Sequence, residues 1–306
     1  MFEHPSSSTF KFNPVRYEQN HKLTKIGGTF HEFVRKSEEM HKLRPFKRAY
    51  EAGHHGDAQS FEDMVERCYD GYNAKAIGEQ RRKIAELFQT DRPMDEMRVS
   101  GEALDVPTFL SGDPKCFWES STEVRKARVH LCYGANALSN VEASQFINHG
   151  GAVATLCDLI ADQAETRITA YLSAIDVFDG SACLSILVKD YGESVDIPRI
   201  GATTHPSFYR RLGFAWFKAY GKSIGKKWDF NGGSASRTGK DRHAAISNEE
   251  FAEWVRIDKD EIVVELPASN LSAFTSEAKA AKWVERSIAT ITEGLRNGQK
   301  HFTLWD

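Results

Sequence analysis

Apolar and polar residues alternate from Lys126 to Tyr133, in the order Lys-Ala-Arg-Val-His-Leu-Cys-Tyr, and the run stops at Gly134. A period of two sends successive side chains to opposite faces, so this segment predicts a strand. A second strand pattern runs from Arg167 to Phe178. The pair Asp179-Gly180 and a third pattern, Ser181 to Lys189, follow it and predict a hairpin. Glu261 to Leu266 predicts another strand, ended by Pro267. Other segments follow a helical period. Ser60 before Phe61-Glu62-Asp63 predicts a capped helix start with acids in the first turn, and Met64, Cys68 and Tyr72 continue it. Gly71 and Gly78 predict that the run to Phe88 is broken. Val141 to Glu165 is helical in pattern through Phe146, Val153, Leu156, Leu159 and Ile160, with Gly150-Gly151 predicted to interrupt it. Pro206 opens a helix to Tyr220 in which Phe208, Leu212, Trp216 and Ala219 form one apolar stripe. Val284, Ile288, Ile291 and Leu295 mark an amphipathic helix within Ala273 to Leu295.

These elements describe a mixed α/β protein, a central mixed sheet with flanking helices. Residues 1–58 form an expected basic N-terminal arm with one helix, Thr29 to Glu39. Residues 59–272 form the expected core domain, with Thr90 to Pro114 as a connector inside it. Residues 273–306 form the expected C-terminal helix and tail. A chain of 306 residues suffices for one large domain or two small ones. With 27% charged residues and a mean hydropathy of -0.49, no run approaches the roughly 18–20 apolar residues of a spanning helix. The start, Met1-Phe2-Glu3-His4-Pro5-Ser6, lacks the basic-then-apolar pattern of a secretory signal. Five cysteines fit neither a zinc knuckle nor a disulfide framework, so the expectation is reduced thiols in a cytoplasm.

A net charge of -3 argues at first against a polyanionic partner. Resolved along the chain, the charge points the other way. Phe10 to Arg48 holds ten Lys/Arg and four Asp/Glu, a balance of +6. Ser207 to His243 holds nine Lys/Arg against Asp229 and Asp241, a balance of +7, which leaves -16 on the remaining residues. Basic segments on an acidic body create an oriented field.

Motifs with mechanics are few. Gly221-Lys222-Ser223 has the ending of a phosphate-binding loop, but Trp216 stands where the motif needs glycine and a helix pattern precedes it. Six of eleven histidines precede residue 56, His54 and His55 among them, without the converging spacing of a metal site. The loop Gly134 to Asn140 follows a strand and precedes a helix, where α/β folds often bind ligands. It is reminiscent of the ion-binding loop of von Willebrand A domains, yet Asn136 and Ser139 stand at the wrong spacing and the leading Asp is missing, which favours a structural turn. His130, Cys132 and His205 are not ordered into a nucleophile and base by their spacing. No cofactor and no catalytic residue is expected.

The segment 207–243 carries the chemistry. Arg210, Arg211, Lys218, Lys222, Lys226, Lys227, Arg237, Lys240 and Arg242 surround Trp228 and Phe230 in a glycine-rich context. Cations neutralise phosphates and release counterions, while exposed rings offer π-faces to unstacked bases. Phe208 and Trp216, at helical spacing, are expected in the core instead. Lys22, Lys25, Arg35, Lys36, Lys47 and Arg48 would extend the track from the arm or clasp a neighbouring copy. No helix-turn-helix, zinc finger or basic zipper supports sequence-specific duplex readout. The tail Phe302 to Trp305 either docks a partner through those two rings or packs back on its own core.

The Ser60-Phe61-Glu62-Asp63 start with its aromatic-Gly turn, the Tyr133-to-Asn140 loop feeding a Gly150-Gly151-Ala152 helix, and His205-Pro206-Ser207-Phe208-Tyr209-Arg210-Arg211 together resemble a phage-encoded family. Its members include the single-stranded-DNA-binding RNA polymerase cofactors of schitoviruses. The resemblance implies a non-enzymatic protein of the host cytoplasm that binds single-stranded DNA without an OB-fold. It also implies recruitment of the phage's own RNA polymerase, and a homo-oligomer is expected. The alternatives are a phage structural or assembly protein whose basic arm faces nucleic acid, and a von Willebrand A-like α/β protein using the Gly134–Asn140 loop.

Overall fold

A computed structural model of the chain describes residues 13–16, 22–43, 60–88, 103–104, 117–118, 127–135, 141–161, 163–176, 180–205, 207–223, 255, 261–266, 271–297 and 301–303. In chain order they form β1 (Asn13–Arg16), β2 (Lys22–Thr29), α1 (Phe30–Leu43), α2 (Phe61–Asp70) and α3 (Ala74–Glu86). The short β3 (Ala103–Leu104) and β4 (Phe117–Trp118) pair with each other. Then come β5 (Ala127–Gly134), α4 (Ala143–Leu159), β6 (Ala164–Asp176), β7 (Gly180–Lys189) and α5 (Ile197–Thr204). A π-helix (Phe208–Gly213) runs into α6 (Phe214–Ser223), followed by β8 (Glu261–Leu266), a 3-10 turn (Ser272–Phe274), α7 (Glu277–Asn297) and β9 (His301–Thr303).

Seven strands make one open mixed sheet in the order β1-β2-β7-β6-β5-β8-β9. β5 pairs in parallel with both β6 and β8, whereas β6 and β7 form the expected antiparallel hairpin. Gly180 already belongs to β7, opposite Asp176, and residues 177–179 lie outside the described residues. Among the described residues the sheet does not close on itself and forms no OB barrel.

Alternation along the central strands sorts their side chains. Val129, Leu131, Tyr133, Ile168, Ala170, Leu172, Ile262, Val264 and Leu266 share one buried core with residues from all the helices. On the other face the register sets His130 opposite Arg167, and Arg128 opposite Glu261. These central strands are buried on both faces: β8 is buried from end to end, its two glutamates included.

Two expectations change here. The segment expected as a separate arm supplies β2, an interior strand beside β7, and the α1 residues Phe30, Phe33 and Val34, which sit in the common core. The helix α4 also passes unbroken through Gly150-Gly151, because α3 lies where their side chains would be. A Cβ at Gly151 would meet Gln80 Cγ at 2.9 Å and the Arg81 nitrogen at 3.2 Å. Thr155 Oγ1 donates to the Arg81 carbonyl at 3.2 Å and fixes the same approach. Of the two glycines after Ser60, only Gly71 breaks the run, at φ 79°, and Gly78 is inside α3. Ser60 does cap α2, accepting from the Asp63 nitrogen at 3.0 Å.

Candidate nucleic-acid interface

His205 turns the chain out of α5. Its Nδ1 accepts from the Ser207 nitrogen at 3.1 Å, its carbonyl accepts from the Phe208 nitrogen at 3.1 Å, and its ring stacks on Tyr72 at 4.1 Å. From this anchor the predicted helix begins as six residues of π-helix carrying Arg210 and Arg211. Such widened turns are rare and concentrate at functional sites. Phe208, Leu212, Trp216, Phe217 and Tyr220 are buried, as helical spacing requires for the first three, and Lys222 is exposed at the far end.

The apolar side of this segment packs on α1. Phe33 lies 5.4 Å from Phe208 and 5.8 Å from Trp216, ring centre to ring centre, and Phe30 stacks on Phe208 at 6.1 Å. Two basic segments about 160 residues apart in sequence therefore share an aromatic seam. The helices that the seam joins carry Arg35, Lys36 and Lys42 of the first segment and Arg210, Arg211, Lys218 and Lys222 of the second.

The predicted binding residues divide into four groups. Arg35 and Lys222 are exposed on the two joined helices. Lys36 is tied to Glu39 at 2.6 Å, and that hydrogen bond holds the Glu39 carboxyl below its usual range. For Arg210, Arg211, Lys218, Lys22, Lys25 and Phe302 the structure places the backbone: the first two on the π-helix, Lys218 on α6, the lysines on β2, and Phe302 on β9 opposite Val264. Lys226, Lys227, Trp228, Phe230, Arg237, Lys240, Arg242, Lys47, Arg48 and Trp305 lie outside the described residues. So do residues 136–140 of the loop between β5 and α4.

Sequence reasoning missed a buried polar network on the sheet. His130, wholly buried, has Nε2 2.8 Å from Thr169 Oγ1 and Nδ1 3.2 Å from Glu261 Oε2. Arg167 donates to the other Glu261 oxygen at 2.9 Å and to Asp190 at 2.8 Å, and lies 4.4 Å over the Tyr191 ring. Burial pushes the His130 pKa down. A neutral ring donates from Nδ1 and accepts at Nε2, which matches both contacts. Burial alone would raise the Glu261 pKa, but the hydrogen bond from His130 and the charge of Arg167 hold it below the usual carboxylate range. A hydroxyl, imidazole and carboxylate in a row have the order of a nucleophilic triad. Thr169 is 3% exposed, however, so its hydroxyl has no room for a substrate, and the network ties β5, β6 and β8 together.

A second feature was hidden because its parts are distant in sequence. His31, exposed on α1, faces the exposed Tyr69 of α2 at 6.2 Å, and Arg199 Nη2 lies 2.9 Å from His31 Nε2. Among the described residues no group of three or more His, Cys, Asp or Glu could hold a metal, and no helix is long and apolar enough to cross a membrane.

No curated protein and no solved structure matches the chain. A family model described as "Domain of unknown function (DUF7192)" matches residues 19–286. That span runs from just before β2 into α7 and takes in the aromatic seam, the buried network and the His31–Tyr69 pair, so the chain belongs to the DUF7192 family.

Proposed function

We propose that this protein binds single-stranded DNA along the surface where α1 meets the π-helix and α6. The carrying observation is the contact of Phe33 with both Phe208 and Trp216, which unites the +6 and +7 segments. Phosphates meet Arg35, Arg210, Arg211, Lys218 and Lys222, with the cations from Lys226 to Arg242 extending the track. Trp228 and Phe230 stack on bases. The aromatic core beneath makes the cationic helices a rigid support, which lowers the ordering cost of binding. Mobility shifts with single-stranded and duplex DNA at two salt concentrations test this reading. Preference for the single strand, with affinity falling steeply in salt, is expected; equal affinity for both forms or no salt dependence overturns it.

The proposal extends to transcription, on the phage-family resemblance of the residues quoted above. In the host cytoplasm, DNA-bound copies of the chain would recruit the phage RNA polymerase, with no cofactor and no catalytic step of their own. Co-sedimentation of the full chain with that polymerase, with and without single-stranded DNA, tests the extension. Absence of a complex in both conditions overturns it while leaving the DNA-binding reading intact.

A further inference from the structure

We propose that His31 and Tyr69 form a stacking platform for an unpaired base, a site that deepens the DNA-binding reading and rests on it. The two rings come from different helices and are parallel to within 18°, with centres 6.2 Å apart. Among the described residues, His41 on Phe61 at 3.9 Å and Tyr72 on His205 at 4.1 Å are closer parallel pairs, while Phe30 on Phe208, as widely spaced at 6.1 Å, is buried. The His31–Tyr69 pair differs in exposure: both residues are exposed, Tyr69 to 47%. Among the described residues Tyr69 and Leu87 are the exposed large hydrophobics, so an aromatic left in solvent is unusual here.

The platform is held in place. Arg199 donates to His31 Nε2 at 2.9 Å and to the Val188 carbonyl at 3.2 Å, and pairs with Asp196 at 2.9 Å and Glu193 at 3.6 Å. The imidazole is thereby oriented without any help from a ligand. It also stands next to the proposed track: Phe30, its neighbour in the chain, stacks on Phe208, and α2 packs against the π-helix that carries Arg210 and Arg211.

Charge decides what kind of group the platform takes. Arg199 is shared between two carboxylates, and Glu38 lies close enough to Tyr69 to help burial raise the phenol's pKa. Phosphate gains little beside so many acids, whereas the flat face of a base needs no charge to stack. The platform therefore contributes affinity that salt does not screen, in contrast to the cations beside it.

The test is binding of the full-length protein to an oligothymidine strand and to a matching abasic strand over a range of salt. Replacement of Tyr69 by Ala should weaken oligothymidine binding by about 5- to 100-fold with an unchanged salt slope, and should leave abasic binding as it was. Tyr69→Trp should restore the affinity, and circular dichroism should show the same fold for each variant. Wild-type affinity in Tyr69→Ala, alongside salt-dependent binding by the wild type, overturns the platform and spares the track. A flattened salt slope or weakened abasic binding in Tyr69→Ala overturns it as well. If the wild type binds neither strand, the DNA-binding reading falls and the platform with it.

Discussion

Gly150 of α4 lies against Ile77 of α3 so closely that a Cβ on the glycine would stand 3.0 Å from the isoleucine Cδ1. The next residue is tighter still, since its missing side chain would meet the Arg81 backbone as well as Gln80. Gly151→Ala should therefore lower stability by about 1–3 kcal/mol, as expected for overpacking, despite alanine's better helix propensity. Gly78→Ala is the control. Nothing lies within 4 Å of its Cβ position in the middle of α3, so the substitution should stabilise by about 0.5–1 kcal/mol. Urea unfolding of the two variants checks the opposite signs.

Glu261 is held by His130 and Arg167 together. Glu261→Ala should cost about 3–5 kcal/mol, because it removes the carboxylate partner of buried His130 and of part-buried Arg167, and Glu261→Gln should cost less by keeping hydrogen-bonding atoms in place. Equal losses in the two variants would show that the carboxylate charge is not what matters.

Acid should destabilise the fold before carboxylates in general are protonated. Burial lowers the pKa of His149 to about 4 and also lowers that of His130. A histidine with a depressed folded-state pKa contributes its full stability above its unfolded value near 6.5. That contribution is lost as the pH falls, because the unfolded chain takes up the proton more readily. For His149 the loss between pH 6.5 and about 4 is on the order of 3 kcal/mol. Unfolding free energies at pH 7 and pH 4.5 should differ, and His149→Leu should reduce the difference. An unchanged profile in that variant would refute the assignment.

Surface cations should separate by their partners. Arg35→Ala and Lys222→Ala should each flatten the salt dependence of single-strand binding by about 0.7 in log-log slope. Lys36→Ala should do less, since Glu39 at 2.6 Å already engages that ammonium. A larger effect at Lys36 than at Arg35 would place the DNA on the other side of α1.

Local signals were readable from the chain. The Ser60 cap, the alternation of β5, the β6–β7 hairpin and the β8 strand ending at Leu266 each rest on a few adjacent residues, and each is found within a few positions of its prediction. What depended on a distant neighbour was not readable. Glycines 150 and 151 look like a break until α3 fills the space above them. His130 reads as an isolated polar residue on a strand until β6 and β8 bring Thr169 and Glu261 to its two nitrogens. Helical spacing correctly sends Phe208 and Trp216 to the core, but it does not foretell the π turn between them or the α1 rings they meet. The two stretches of charge were legible in the chain, and the fold adds that their helices meet through Phe33, Phe208 and Trp216.

The placement of β2 beside β7 sets the order in which the sheet and the aromatic seam come into being. Leu23 pairs with Ser181 and Thr29 with Leu187, so the second strand of the chain keeps an unsatisfied edge until nearly 190 residues have been made. α1 waits longer, for Phe208 and Trp216. Contacts this remote in sequence form late and slowly. A nascent or truncated chain that stops before residue 208 would carry the first basic segment without its counterpart, and with a sheet edge open to other chains.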